Sequence, residues 1–177
     1  VAPIKIRPKN LKEFIGQEHL TGEGKPIAVA IEKKHLFSFI FWGPPGVGKT
    51  TLAKIYAKAL NADYHELSAV SAGKEDIKKI LETSGTLLGP KILFLDEIHR
   101  FNKAQQDFLL PFVENGRLIL IGATTENPSF EVIPALLSRM RVFVLNELSD
   151  EEMKKIVKRT GFKIKKDFMD WLIGMSG

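Results

Sequence analysis

No cysteine occurs in the 177 residues, so the chain has neither a disulfide framework nor a thiolate zinc site. Long apolar runs are missing as well. Those present, such as Phe39–Trp42 and Ile92–Leu95, have the length of strands, far short of the roughly 20 residues a membrane helix needs. No charged stretch leading into an apolar segment opens the chain, which argues against secretion and for a soluble cytoplasmic protein. The Asn-x-Ser at Asn127 has Pro128 at its centre and cannot accept a glycan. Glutamine is scarce, at three residues, and arginine is outnumbered by lysine, six to twenty. With abundant glutamate, that balance suits a thermophile. The chain starts on Val1 rather than Met and stops at Gly177 inside a helical pattern. We therefore expect an excised piece of a longer protein.

Apolar runs alternate with amphipathic ones. Strands are expected at Leu36–Trp42, Asp63–Leu67, Lys91–Leu95, Arg117–Ile121 and Val142–Leu145, mostly continuous apolar runs of the kind covered on both faces. Helices are expected at Thr50–Leu60, Glu75–Ser84, Lys103–Glu114 and near Glu131–Leu137, and Pro26 reads as a first-turn proline. Asn102 with Gln105 opens the third helix, Pro111 should kink it, and Asn115-Gly116 ends it. Ser149 with Glu152 is a capping box for a further helix, Asp150–Arg159. This alternation predicts an α/β fold, a parallel sheet flanked by helices. Residues 1–148 form the α/β domain and 149–177 begin a small helical domain. The net charge is +5, with the densest basic cluster at Lys154, Lys155, Lys158, Arg159, Lys163, Lys165 and Lys166. It reads as the solvated face of a helix and its following turn, or as a contact to a phosphate backbone.

Phe39–Thr51 carries the chemistry. A buried strand runs into Gly43-Pro44-Pro45-Gly46-Val47-Gly48-Lys49-Thr50-Thr51, which fits G-x-x-x-x-G-K-[ST] at every fixed position, and a helix follows. The glycines permit a tight turn whose N–H groups face one anion, and the helix N-terminus adds partial positive charge. Lys49 would bind β- and γ-phosphates and Thr50 would hold Mg2+.

Ile92-Leu-Phe-Leu-Asp96-Glu97 then ends a buried strand in two carboxylates. Asp96 would join the Mg2+ shell and Glu97 would polarise the attacking water, which points to hydrolysis over phosphoryl transfer. The fourth strand ends in Thr124 and Thr125. Thr124 is the preferred partner for the γ-phosphate or the lytic water, with Thr125 the fallback.

The ordered set Arg7-Pro8, Ile15-Gly16-Gln17, GPPGVGKTT, LFLDEIHRF, IGATTENPSFEV and LLSRMRVF resembles AAA+ P-loop ATPases of the clamp-loader clade, and most specifically the replication-associated recombination protein A (MgsA, Werner-helicase-interacting protein) family. The Holliday-junction branch-migration motor shares DEIHR and IGATT and is the runner-up. A nucleotide-gated scaffold with little turnover is a third reading. The resemblance implies that the region of Arg7-Pro8 and Ile15-Gly16 lies against adenine and that Thr124 is the sensor-1 residue. It implies that Arg139 is an arginine finger reaching into a neighbouring subunit's ATP site, and that the chain after Leu148 begins a lid. It further implies DNA partners (single strands, ends or junctions), contact with single-stranded DNA-binding protein, homo-oligomers, no membrane association, and a cytoplasmic, nucleoid-associated site of action at stalled forks. The loop Ser68–Lys74 is its candidate DNA contact, with an ordinary turn and helix cap as the equal alternative.

Overall fold

The computed structural model describes residues 8–83 and 89–176, and leaves aside the side chains of 162–164, 166, 167, 172 and 174–176. Arg7, Ser84 and the two chain ends therefore lie outside the described residues, as do the side chains of Lys163 and Lys166.

Five strands, β1 (Phe39–Trp42), β2 (Asp63–Ser68), β3 (Lys91–Asp96), β4 (Ile119–Thr124) and β5 (Arg141–Val144), pair in the order β2-β3-β4-β1-β5. Every pairing is parallel. Alternation along the central strands divides the core in two. Phe39, Phe41, Ile92, Phe94, Ile121 and Ala123 face the helix Lys49–Ala59 and the N-terminal helix Pro26–Glu32, packing with Leu52, Tyr56 and Ile27. Ile40, Leu93, Leu95 and Leu120 face the other way, onto Ile77, Leu109 and Leu136 from the helices that follow β2, β3 and β4. Because both faces are covered, β1, β3 and β4 are apolar almost throughout, which is why they stand out in the sequence. An aromatic cluster fixes one side: the rings of Phe39 and Tyr56 meet edge-on at 5.1 Å and 84°. The Tyr56 hydroxyl donates to the His35 carbonyl at 2.6 Å and accepts from the Phe37 N–H.

Besides shifts of one or two residues elsewhere, β1 begins at Phe39 rather than Leu36, and three further elements differ from their expected bounds. The first is β4, which starts at Ile119 and runs on to Thr124. Asn115-Gly116 turns the chain and the Asn115 side chain accepts the Arg117 N–H, so Arg117 belongs to the turn. At its other end the strand continues through Gly122, over which Ile98 packs, and Ala123, which faces the opposite core. Second, the helix expected near Glu131–Leu137 is two short turns, Pro128–Glu131 and Pro134–Leu137, each opened by its proline. Third, the last helix runs unbroken from Asp150 to Ser176, with no turn after Arg159. It contains no proline, and Gly161 costs only about 1 kcal/mol.

The helix Lys103–Glu114 extends three residues past Pro111, with the reciprocal Asn102/Gln105 cap in place. Ser149 and Glu152 likewise exchange hydrogen bonds of 2.8 and 3.1 Å.

Candidate functional site

The parallel sheet brings its strand ends to one side, and a cleft of about 390 Å3 opens there. It is lined by Pro45, Gly46, Gly48, Lys49, Thr50 and Thr51 from the loop after β1, Asp96 and Glu97 from β3, and Thr124 and Thr125 from β4. Residues far apart in sequence meet because β4 lies between β1 and β3, with Trp42 beside Thr124 and Asp96 beside Ala123. Of the residues expected to handle phosphate, metal and water, Lys49, Thr50, Thr51, Asp96, Glu97 and Thr124 line this cleft with Pro45, Gly46 and Gly48, whereas Gly43, Pro44, Val47 and Arg139 do not.

Two glycines make the loop possible. Gly48 has φ of +101°, and a Cβ there would stand 2.7 Å from the Phe14 ring. Gly43 lies so close to β5 that its Cβ would meet the Leu145 carbonyl at 2.6 Å. The Lys49 ammonium donates to the carbonyls of Gly43 (2.5 Å) and Pro44 (3.1 Å), inside the loop it ends. Burial lowers its pKa below the ordinary lysine value, and the nearby Asp96 charge works in the opposite direction.

Asp96 closes β3 with its Oδ1 accepting the Glu97 N–H at 3.0 Å. Glu97 adopts the left-handed backbone region, φ 54°, a conformation that costs a non-glycine residue on the order of 1 kcal/mol. Such local strain is typical of functional positions. Its side chain is exposed to the cleft. Thr124 is buried at 2% exposure whereas Thr125 is exposed. The Thr124 hydroxyl accepts the Glu126 N–H at 2.9 Å and meets His99 Nδ1 at 2.8 Å.

A second cavity of about 140 Å3 adjoins the loop, sharing Gly46, Gly48 and Thr51 with the cleft. Pro8, Phe14, Ile15, Val47, Leu148, Ile156, Arg159 and Thr160 complete it. Gly16 is buried next to Leu148 and Glu152. Gln17 anchors this wall: its amide donates to the Asn146 carbonyl at 2.8 Å and accepts the Asn146 N–H at 2.9 Å. Arg159 belongs here too. Its guanidinium donates to the Glu13 carbonyl, whereas Lys154, Lys155, Lys158 and Lys165 are exposed. The basic cluster is therefore not uniform, and one member faces a cavity.

Arg139 lies elsewhere. It is 54% exposed and pairs with Glu114 at 3.3 Å, so the structure does not bring it to its own chain's cleft. In the loop from Ser68 to Lys74, Ala69 is buried and Val70 is 55% exposed. His99, Gln17 and Arg159 escaped sequence reasoning. A histidine two residues after a strand-ending carboxylate pair was the only hint to the first.

The cleft fits a nucleotide and a hard cation. The Lys49 ammonium and a helix N-terminus suit phosphates, and the Thr50 hydroxyl with the Asp96 carboxylate is an oxygen donor set. Among the described residues no cluster of three or more His, Cys, Asp or Glu could cage a metal alone. That composition matches Mg2+, which is usually held by one or two protein oxygens plus substrate phosphates.

The profile of the ATPase family associated with various cellular activities (AAA) matches residues 39–148. Over 158 residues the chain is 51% identical to replication-associated recombination protein A of Haemophilus influenzae, covering 88% of this chain and 35% of that protein. It is 52% identical over 165 residues to ATPase WRNIP1 of Dictyostelium discoideum, covering 90% of this chain and 19% of that protein. Among solved structures, the RuvB Holliday junction branch migration motor of Thermotoga maritima aligns with a TM-score of 0.74 at 35% identity, over 90% of this chain and 55% of that one. The chain thus spans about a third of the length of the bacterial curated relatives it matches.

Proposed function

Since the chain belongs to the AAA ATPase family, and within it to the replication-associated recombination protein A and WRNIP1 group, we propose that it is the Mg2+-dependent ATP-hydrolysing module of a DNA-maintenance protein. One observation carries this reading: Lys49, Thr50, Asp96, Glu97 and Thr124, gathered at the ends of three different strands and the segments that follow them, line a single cleft.

In that cleft the loop N–H groups and Lys49 neutralise the β- and γ-phosphates of ATP. Thr50 and Asp96 hold Mg2+, which when bound supplies charge neutralisation across the phosphate oxygens. Glu97 accepts a proton from the attacking water, and Thr124 hydrogen-bonds the γ-phosphate or that water. Ile15, Pro8 and Arg159 bound the adjoining cavity, which is positioned for the adenine. The helix from Asp150 begins a lid over it, so that residues 149–177 are a separate unit from residues 1–148. Arg139 acts on a neighbouring copy's cleft, a role compatible with its exposure and its distance from its own.

DNA binding, DNA-stimulated turnover, homo-oligomerisation and contact with single-stranded DNA-binding protein are the partner side of the proposal, with action in the cytoplasm at the nucleoid. Among the described residues no helix is long and apolar enough to cross a membrane. The Ser68–Lys74 loop is the candidate DNA contact. A branch-migration motor is the less favoured reading, since RuvB is 35% identical where the Haemophilus influenzae recombination protein A is 51%. A scaffold with little turnover leaves Glu97 without a task.

ATPase assays with single-stranded, blunt, gapped and four-way DNA over a salt series test the proposal. We expect stimulation by ends or gaps that weakens with salt. Turnover indifferent to all four would reject coupling to DNA, and stimulation by four-way junctions alone would favour the branch-migration reading.

A further inference from the structure

His99 and Thr124 are 25 residues apart in sequence, and His99 Nδ1 stands 2.8 Å from the Thr124 hydroxyl oxygen. A threonine hydroxyl has one proton to give and two lone pairs to fill. The Glu126 N–H, at 2.9 Å, fills one lone pair. What remains depends on His99. If Nδ1 is bare, it takes the only Thr124 proton, and the hydroxyl has no donor left for the cleft. If Nδ1 carries a hydrogen, it fills the second lone pair and the Thr124 proton is free. Among the described residues, the acceptor then competing for that proton is the Glu126 carbonyl, at a long 3.3 Å.

The two residues are well placed for such control. Thr124 is 2% exposed and is held by strand pairing beside Trp42, so its hydroxyl cannot easily seek other partners. His99 sits in the single 3-10 turn Ile98–Arg100 that follows Glu97, and Ile98 is fully buried beneath it. The ring is thus fixed by the same short turn that sets the Glu97 carboxylate.

We propose that His99 is a positioning residue that donates its Nδ1–H to Thr124 and so directs the only Thr124 proton into the cleft. This rests on the reading of Thr124 as a ligand of the γ-phosphate or its attacking water. His99 itself touches neither. It links the turn bearing the water-activating carboxylate to the strand end bearing the sensing hydroxyl, so that a movement of either is felt by the other.

Two measurements test the proposal. The first is independent of turnover. Nitrogen-15 NMR of the four histidines, with His99 assigned through His99→Asn, reports which ring nitrogen is protonated. A protonated Nδ1 at neutral pH is expected, and a bare Nδ1 overturns the proposal. The second is a double-mutant cycle on single-turnover ATP hydrolysis, with the affinity for a non-hydrolysable ATP analogue measured alongside. Thr124→Val and His99→Leu should each slow hydrolysis roughly tenfold, the scale of one lost hydrogen bond, with little change in affinity. The double variant should be no slower than Thr124→Val within about twofold. His99→Asn, whose amide can donate from near the Nδ1 position, should recover most of the rate. Additive losses in the double variant, with Thr124→Val itself impaired, overturn the role of His99 and leave the function of Thr124 standing. An unchanged rate for Thr124→Val rejects the reading of Thr124, and with it this proposal. Should His99→Leu fail to fold, the NMR result and His99→Asn still decide.

Discussion

The Lys49 ammonium donates to the carbonyl of Gly43, six residues earlier, at 2.5 Å. The loop's only cation is thus held against the backbone that begins the loop, partly buried and with the Asp96 charge acting on it. Binding of a triphosphate requires it to exchange these carbonyls for phosphate oxygens. Lys49→Ala should weaken ATP binding about 10- to 100-fold, the worth of a charged hydrogen-bonding group. Calorimetric titration with a non-hydrolysable analogue is the check, and undiminished affinity would remove the basis for the nucleotide site.

Glu97→Gln keeps the shape of the turn and leaves the Asp96 contact to the backbone in place. ATP should bind as before and persist, with hydrolysis slowed about 10²- to 10⁴-fold. Wild-type turnover in this variant would mean that another group accepts the proton.

Gly43→Ala forces a methyl group to within 2.6 Å of the Leu145 carbonyl, a backbone atom that cannot turn aside. Gly48→Ala combines the Phe14 contact with a φ of +101°. Each should destabilise the fold by about 1–3 kcal/mol. Thermal unfolding reads this directly, and unchanged midpoints would show that the loop relaxes at little cost.

Arg139→Ala should leave ATP affinity intact and slow hydrolysis by up to roughly 10³-fold, because a finger meets charge that develops in the transition state. Mixing Arg139→Ala with Lys49→Ala copies should restore part of the activity under conditions where copies assemble. If demonstrated co-assembly brings no recovery, Arg139 acts within its own chain or serves only its pair with Glu114.

Burial pushes the Tyr56 hydroxyl up to about 12, against an ordinary 10. The protonated form is the one that folding favours, so its contribution is complete below pH 10 and is lost as the pH rises towards 12, the unfolded chain ionising first. Stability measured by denaturant should fall across that window, and Tyr56→Phe should flatten the decline while costing stability at neutral pH through the orphaned His35 carbonyl. An identical alkaline decline in both proteins would exonerate Tyr56.

Contiguity in sequence largely decided what could be read before the structure. The phosphate loop, Asp96-Glu97 and Thr124 each follow an apolar strand directly, so strand, turn and chemistry were visible in one short window. The sheet's strand-helix alternation was legible for the same reason. The Gln17–Asn146 exchange spans 129 residues, and nothing near either residue announces it. His99 was hidden in a different way: its partner is reached only because β3 and β4 are neighbours. Arg159 looked like one more solvated basic residue in a lysine-rich stretch, and only the path of the N-terminal segment across that helix gives its guanidinium a carbonyl. The start of β4 was misjudged because Arg117 and Leu118 look like strand, while a side chain on the preceding turn claims the Arg117 N–H.

The strand order has a metric meaning. β4 intervenes between the strand that carries the phosphate loop and the strand that carries the carboxylates. Two inter-strand spacings, roughly 9–10 Å in all, therefore separate the two halves of the site. The sheet acts as a caliper whose jaws are set by backbone hydrogen bonds. Loop substitutions can change what the jaws grip, but their opening is fixed by pairing deep in the core, so the gauge of the site should outlast extensive change at its rim.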